Sequence, residues 1–249
     1  MPRRALSFGA VAAAYERFRP AYPGELFDIV MTYAGQPIRT ALEIGAGTGK
    51  ATRLFAQPGI TVTATEPDPA MLAELRMHVP ARVNTVQAAL EDLPLNQTYG
   101  LVYAAAALHW TDPETRWSRV AALVEPGGVF ASFGGPFHLA DPTVEETVRA
   151  ARAPFLASDD VASPEAAPVA EWFTDVQQAV IKRRSTMAAS DYVGHLSTVS
   201  AYLQLPPAAQ EQVNGRILRV LPEQVEVAAD ITVHLARRRA REPLSVRGG

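Results

Sequence analysis

The segment Ala41-Leu-Glu-Ile-Gly-Ala-Gly-Thr-Gly-Lys50 limits the possible folds of this chain more than any other. A short apolar run, Ala41 to Ile44, carries a carboxylate at Glu43 and leads into glycines at alternate positions, Gly45, Gly47 and Gly49. Residues without a Cβ let the backbone turn sharply and approach a ligand closely. A helical pattern follows at once in Ala51, Leu54 and Phe55. The loop therefore joins the C-terminal end of a strand to a helix N-terminus, where open α/β sheets bind ligands. A second apolar run, Thr61 to Thr65, ends in Glu66, at the position where a carboxylate takes the hydroxyls of a ribose.

The same alternation continues along the chain. Strands are predicted at 40–44, 61–65, 83–87, 99–104 and 128–133, and helices at 49–56, 68–77 and 113–124. Asp68 is placed as an N-cap with Pro69 at the first helical position. Glu125-Pro-Gly-Gly128 reads as a turn into the fifth strand. Strand–helix alternation of this kind implies an α/β fold, a parallel sheet with helices on both faces. After Gly134-Gly135-Pro136 the expected elements are a helix over 141–157, a polar loop from Ala157 to Pro168 and a sixth strand from Val176 to Arg184. Helices over Tyr192–Leu203 and Pro207–Leu221 and an alternating strand from Val225 to Leu235 follow.

The glycine spacing separates cofactor classes. A dinucleotide loop reads G-x-G-x-x-G, and a phosphate loop G-x-x-x-x-G-K-[ST]. Here the third glycine comes one residue too early for the first, and the second is absent. Glu43, just before the loop, repels a phosphate but suits a cation. S-adenosylmethionine (SAM) has no phosphate and carries a sulfonium and an ammonium, so the E-x-G-x-G-x-G form favours it.

The chain resembles the class I SAM-dependent methyltransferases of the small-molecule type, which include trans-aconitate methyltransferase-like enzymes. The resemblance rests on Tyr15-Glu-Arg-Phe-Arg-Pro-Ala-Tyr-Pro23, Leu42–Lys50, Ala64-Thr-Glu-Pro-Asp-Pro-Ala-Met71 and Tyr99–Gly135, the last with its Ala107-Leu-His-Trp110 and Leu123-Val-Glu-Pro-Gly-Gly128. It implies a Rossmann-like doubly wound sheet of seven strands, mostly parallel, with an antiparallel last strand and a helical cap insertion. The implied organisation is one domain over 1–249: an N-terminal helical lid (1–35), a SAM-binding core (36–135), and a C-terminal part (136–249) with sheet-edge strands and cap helices at about 190–221. Expected cofactor contacts are Tyr15, Arg19, Glu43, Gly45, Ala46, Gly47, Gly49, Glu66, Pro67, Leu90, Glu91 and Ala105. Arg19 is the candidate for the methionine carboxylate, a fitting partner for a guanidinium. Relatives often read adenine with an Asp after the third strand. Here Ala89 stands at that position, which leaves the task to Leu90, Glu91 or Asp92.

Methyl transfer from a sulfonium depends mainly on proximity and alignment, so no fixed catalytic residue and no metal are expected. His109 is the candidate base, since histidine titrates near neutral pH. Tyr22, Trp110, His138 and Tyr192 are the candidate substrate contacts, and His195 and Thr198, with Tyr192 on the expected cap helices, are also placed to face substrate. The N-terminal segment, the Leu108–Trp110 corner and the cap helices are expected to meet above the C-terminal strand ends.

A net charge of −3 gives no basic field for nucleic acid, and the cluster Arg237-Arg-Arg-Ala-Arg241 reads as a solvated tail. With no cysteine, disulfides and thiolate sites are excluded, which fits a cytoplasmic protein. No apolar run approaches the roughly 20 residues of a membrane span. Arg3-Arg4 before the apolar Ala5–Ala14 allows a signal peptide, but one helical face of Phe8, Val11, Tyr15 and Phe18 favours a mature helix. The expected partner is a small-molecule acceptor, a carboxylate, hydroxyl or amine, with the protein a monomer or homodimer. The alternatives are a SAM-binding regulator or scaffold without turnover, and a macromolecule methyltransferase.

Overall fold

The computed structural model describes residues 8–156 and 170–240. The Ala157–Pro168 loop, Arg241 of the basic cluster and the first seven residues of the expected lid lie outside the described residues.

Seven strands form the main sheet: β1 (Thr40–Ile44), β2 (Thr61–Thr65), β3 (Asn84–Val86), β4 (Tyr99–Ala105), β5 (Val124–Gly134), β7 (Phe173–Ile181) and β10 (Ile231–Arg238), in the order β3-β2-β1-β4-β5-β10-β7. All neighbours are parallel except β10, which runs antiparallel to both β5 and β7. The order reverses between β1 and β4, so a crevice opens there at the C-terminal strand ends. A side sheet of β6 (His138–Leu139), β9 (Gln224–Ala228) and β8 (Arg184–Ala188) is antiparallel throughout.

The central strands are apolar on both faces, as parallel strands covered by helices must be. Ala41, Tyr103, Ala131 and Phe133 bury one face with Leu26 and Val30 of α2 (Gly24–Ala34) and Phe55 of α3 (Lys50–Phe55). Leu42, Ile44, Val102 and Phe130 bury the other with Val120 and Leu123 of α5 (Arg116–Leu123). The helix α4 (Pro69–His78) starts as its sequence dictates: the Asp68 carboxylate accepts the amides of Ala70 and Met71 at 2.8 and 3.1 Å. A third core belongs to the cap. There Val148 of α6 (Pro142–Arg152) and Tyr192 and Leu196 of α7 (Ala189–Leu196) join Tyr202 of α8 (Ser200–Leu203). Val213 and Ile217 of α9 (Pro207–Val220) complete it against Val225 and Val227.

The structure corrects three sequence expectations. The alternating run Val225–Leu235 is two strands, not one. It bends at Ala229–Asp230, where the Ala229 amide donates to the Arg183 carbonyl at 3.1 Å and the Arg183 amide donates to Asp230 Oδ1 at 3.0 Å. A period-2 pattern continues through such a bend and cannot show it. Glu125-Pro-Gly-Gly128 lies inside β5, in a register break opposite Tyr99 to Leu101. Gly127 takes φ +79° there. The helix expected over Tyr192–Leu203 divides at Ser197–Val199, where the Thr198 hydroxyl turns back to the His195 carbonyl at 2.7 Å. Among the described residues no helix is long and apolar enough to cross a membrane.

Candidate cofactor and acceptor site

The glycine loop leaves β1 with Gly45, Gly47 and Gly49 at φ +64°, +58° and +86°. These are left-handed conformations that an L side chain adopts only under strain. Gly45 also needs the space, because a Cβ there would lie 2.7 Å from Ala107 Cβ.

Glu66, at the end of β2, is nearly buried. Its Oε2 accepts the Gly47 amide at 2.8 Å and its Oε1 the Asp68 amide at 2.9 Å. One carboxylate thus ties the loop to the start of α4. Each oxygen has capacity for a further hydrogen bond, so the site retains acceptors for a diol. Burial raises the Glu66 pKa, while the two amides oppose that shift.

Glu43 lies beneath the loop and is fully buried. Its Oε2 accepts from the hydroxyls of Thr52, at 2.5 Å, and Tyr103, at 3.0 Å, and its Oε1 has no partner. Burial pushes its pKa up to about 8, with the two hydroxyls acting against that. As pH rises from the ordinary carboxylate range towards 8, the unfolded chain loses a proton that the folded chain keeps, so stability falls across that window. Glu43→Gln is therefore expected to flatten the fall in melting temperature between pH 5 and 8. Parallel slopes for the two proteins would show that Glu43 does not titrate there.

The N-terminal segment folds over the loop. In α1 (Ala12–Phe18), the Glu16 carboxylate meets Arg53 at 2.8 Å, and its carbonyl accepts from Lys50 Nζ at 2.6 Å. Phe8 packs edge-on against Trp110 with ring centroids 5.9 Å apart, and a Cβ on Gly9 would strike the Asp68 carboxylate. Arg19, just past α1, donates from Nε to Thr198 Oγ1 at 2.9 Å and from a terminal nitrogen to the Thr198 carbonyl at 3.0 Å.

Between loop and cap lies a cleft of about 760 Å³, counted to its open mouth. Of the residues expected from sequence, Tyr15, Arg19, Tyr22, Gly45, Ala46, Gly47 and Ala105 line it. Glu43, Gly49, Glu66, Pro67, Leu90, Glu91, His109, Trp110, His138 and Tyr192 are not among its lining residues. Glu91 Oε1 accepts the Asp112 amide at 2.7 Å, and the Leu90 carbonyl accepts from Arg119 at 2.9 Å, so both brace the adjoining turns. His109 packs on Trp110 with ring centroids 4.6 Å apart, and burial, then Arg116, lowers its pKa. His138 is exposed on β6. Tyr192 is buried in the cap core, where burial raises its hydroxyl pKa.

Residues 42–132 match the family model described as a methyltransferase domain. Over these residues the chain carries a methyltransferase domain. A putative type II methyltransferase from Anaeromyxobacter dehalogenans superposes with a TM-score of 0.65 at 25% identity, covering 90% of this chain and 100% of that one. An uncharacterized methyltransferase of Mycobacterium tuberculosis is 41% identical over 124 residues, 49% of each chain. A trans-aconitate 2-methyltransferase of Delftia acidovorans is 34% identical over 123 residues, 47% of this chain and 44% of that one. The chain thus spans about half the length of these curated relatives.

Beyond the matched segment, this methyltransferase domain completes the cleft with residues that sequence reasoning missed: Phe137, Arg183 and Asp230. Phe137 follows the Gly134-Gly135-Pro136 stretch, which marks a chain exit and is the one usable signal. Arg183 and Asp230 carried none, because they meet only across the bend that divides β9 from β10.

Proposed function

We propose that this chain transfers the methyl group of SAM to a small-molecule acceptor bound in the cleft beneath the cap. The observation that carries this reading is one continuous wall. The cofactor loop, Gly45 to Thr48, forms one part of it, and Tyr22, Phe137, Arg183 and His195 form another. In the transfer a lone pair of the acceptor bonds to the methyl carbon as the carbon–sulfur bond breaks, leaving S-adenosylhomocysteine (SAH). Gly45–Gly49 and Glu66 would hold the adenosyl half and Arg19 the methionine carboxylate. Arg183 donates to the Ala21 carbonyl at 2.9 Å and has no carboxylate partner among the described residues, which favours an acceptor with a negative charge.

Proximity and alignment account for the rate in this reading. A general base contributes about 10²–10⁴-fold. His109 stands outside the cleft wall, so His109→Ala is expected to cost far less than that; a loss of such size with SAM affinity intact would restore it as the base. The proposal is tested in two steps: calorimetry with SAM and SAH in the presence of a chelator, then transfer of labelled methyl from SAM into a metabolite extract. Failure to bind either ligand overturns the cofactor assignment. Binding without transfer to any small molecule favours a regulator.

A further inference from the structure

His195 is a buried histidine of the cleft wall with one ring nitrogen unused. It sits on α7, is 2% exposed and faces the same cleft as Gly45 to Thr48. Its ring stacks on Phe137 with centroids 3.8 Å apart and planes 21° apart. Nδ1 is buried and has no hydrogen-bond partner. Native proteins leave few buried polar atoms in that state.

The placement is built by packing. A Cβ on Gly194 would fall 2.6 Å from the Phe18 ring, so α7 approaches α1 at a distance that only glycine allows. Arg19 ties the same two elements together through Thr198. Burial, with the neighbouring Arg19 guanidinium, pushes the His195 pKa down to about 3. The ring is neutral at physiological pH, so one nitrogen carries the proton and the other a lone pair, and in the Nε2–H tautomer the lone pair is on Nδ1. So weak a base accepts a hydrogen bond without removing the proton.

We propose that His195 Nδ1 accepts a hydrogen bond from an O–H or N–H group of the methyl acceptor and so selects molecules that carry such a donor. This rests on the cleft being the acceptor site. Combined with Arg183 on the same wall, it specifies a small anion that also bears a hydroxyl or amino group.

The test uses SAH-saturated protein labelled with ¹⁵N in histidine and arginine, and ¹³C in phenylalanine. The probes are matched pairs, acetate against glycolate and butyrate against 3-hydroxybutyrate. The hydroxylated member of each pair is expected to bind roughly two- to tenfold more tightly, the range of one hydrogen bond. It should also move the Nδ1 resonance upfield, as acceptance of a hydrogen bond does. His195→Phe keeps the stacking and is expected to abolish the preference with SAH affinity unchanged. His195→Asn, which offers an amide oxygen near the place of Nδ1, is expected to recover it. A preference that persists in His195→Phe, fails to return in His195→Asn, or leaves Nδ1 unmoved while Phe137 and Arg183 respond overturns the role of His195 alone. No response at any cleft residue to any probe overturns the acceptor-site reading and this inference with it.

Discussion

Glu66→Ala is expected to weaken SAM binding by at least about tenfold, or about 1.4 kcal/mol, and to lower the melting temperature as well. Glu66 has two tasks. In the folded chain its carboxylate accepts the Gly47 amide at 2.8 Å and the Asp68 amide at 2.9 Å. Both bonds involve a group buried to 6% exposure, and a buried donor left without a partner costs about 1–3 kcal/mol. The loop that must hold positive φ at Gly45, Gly47 and Gly49 would then lose its anchor on β2 as well as its acceptors for the ribose hydroxyls. Glu66→Gln does not spare the loop. It keeps one oxygen for one amide but turns an NH₂ towards the other amide, so it is expected to disturb the loop nearly as much. Calorimetry with SAH on folded variants reads the effect, and an unchanged dissociation constant for Glu66→Ala would remove Glu66 from the site.

Gly135→Ala is expected to destabilise the fold by about 2–4 kcal/mol, in the range of severe single substitutions, a fall of roughly 5–15 °C in melting temperature for a domain of this size. An added Cβ would lie 1.9 Å from the Asp230 carbonyl oxygen. That oxygen is backbone and has no rotamer to escape into, so the exit of β5 and the bend before β10 must separate. Asp230 holds Lys182 Nζ at 2.7 Å and the Arg183 amide at 3.0 Å, and both Asp230 and Arg183 line the cleft. The variant is therefore also expected to impair the acceptor side more than SAH binding, since the cofactor loop is anchored elsewhere. Gly24→Ala is a control: like Gly135, Gly24 does not hold a positive φ, but nothing lies within 4 Å of the added Cβ. A melting temperature for Gly135→Ala equal to that control would show that the junction yields without cost.

The cofactor half was largely legible in the sequence because its parts are local. The loop occupies consecutive residues after one strand, Asp68 and Pro69 declare the start of α4, and Glu66 follows the next strand. Glu43 was legible as part of the motif but not in its surroundings. Whether that carboxylate faces a ligand or lies under the loop depends on Thr52 and on Tyr103, which arrives from β4. The adenine end is similar: Glu91 is a candidate ligand by position, and only the fold shows one of its oxygens on the Asp112 amide and the other buried without a partner.

On the acceptor side the sequence offered Tyr22 and, among several cap residues, His195, both of which line the cleft, but could not rank them. It marked α7 as cap and offered Tyr192 first, yet the helix turns Tyr192 into the cap core and brings His195 to the cleft. Both are buried, so hydrophobic periodicity could not separate them. The α/β class, the strand–helix alternation of the first half and a glycine loop of neither the dinucleotide nor the phosphate-loop form were determined by the sequence alone, because glycine spacing, strand periodicity and caps act over a few neighbouring residues. The acceptor wall was decided by tertiary structure. Phe137, Arg183, His195 and Asp230 come together only when α7 closes on α1 across Gly194 and β9 bends into β10. Those contacts join segments far apart in the chain, and no local pattern encodes which side chain such packing will turn inward.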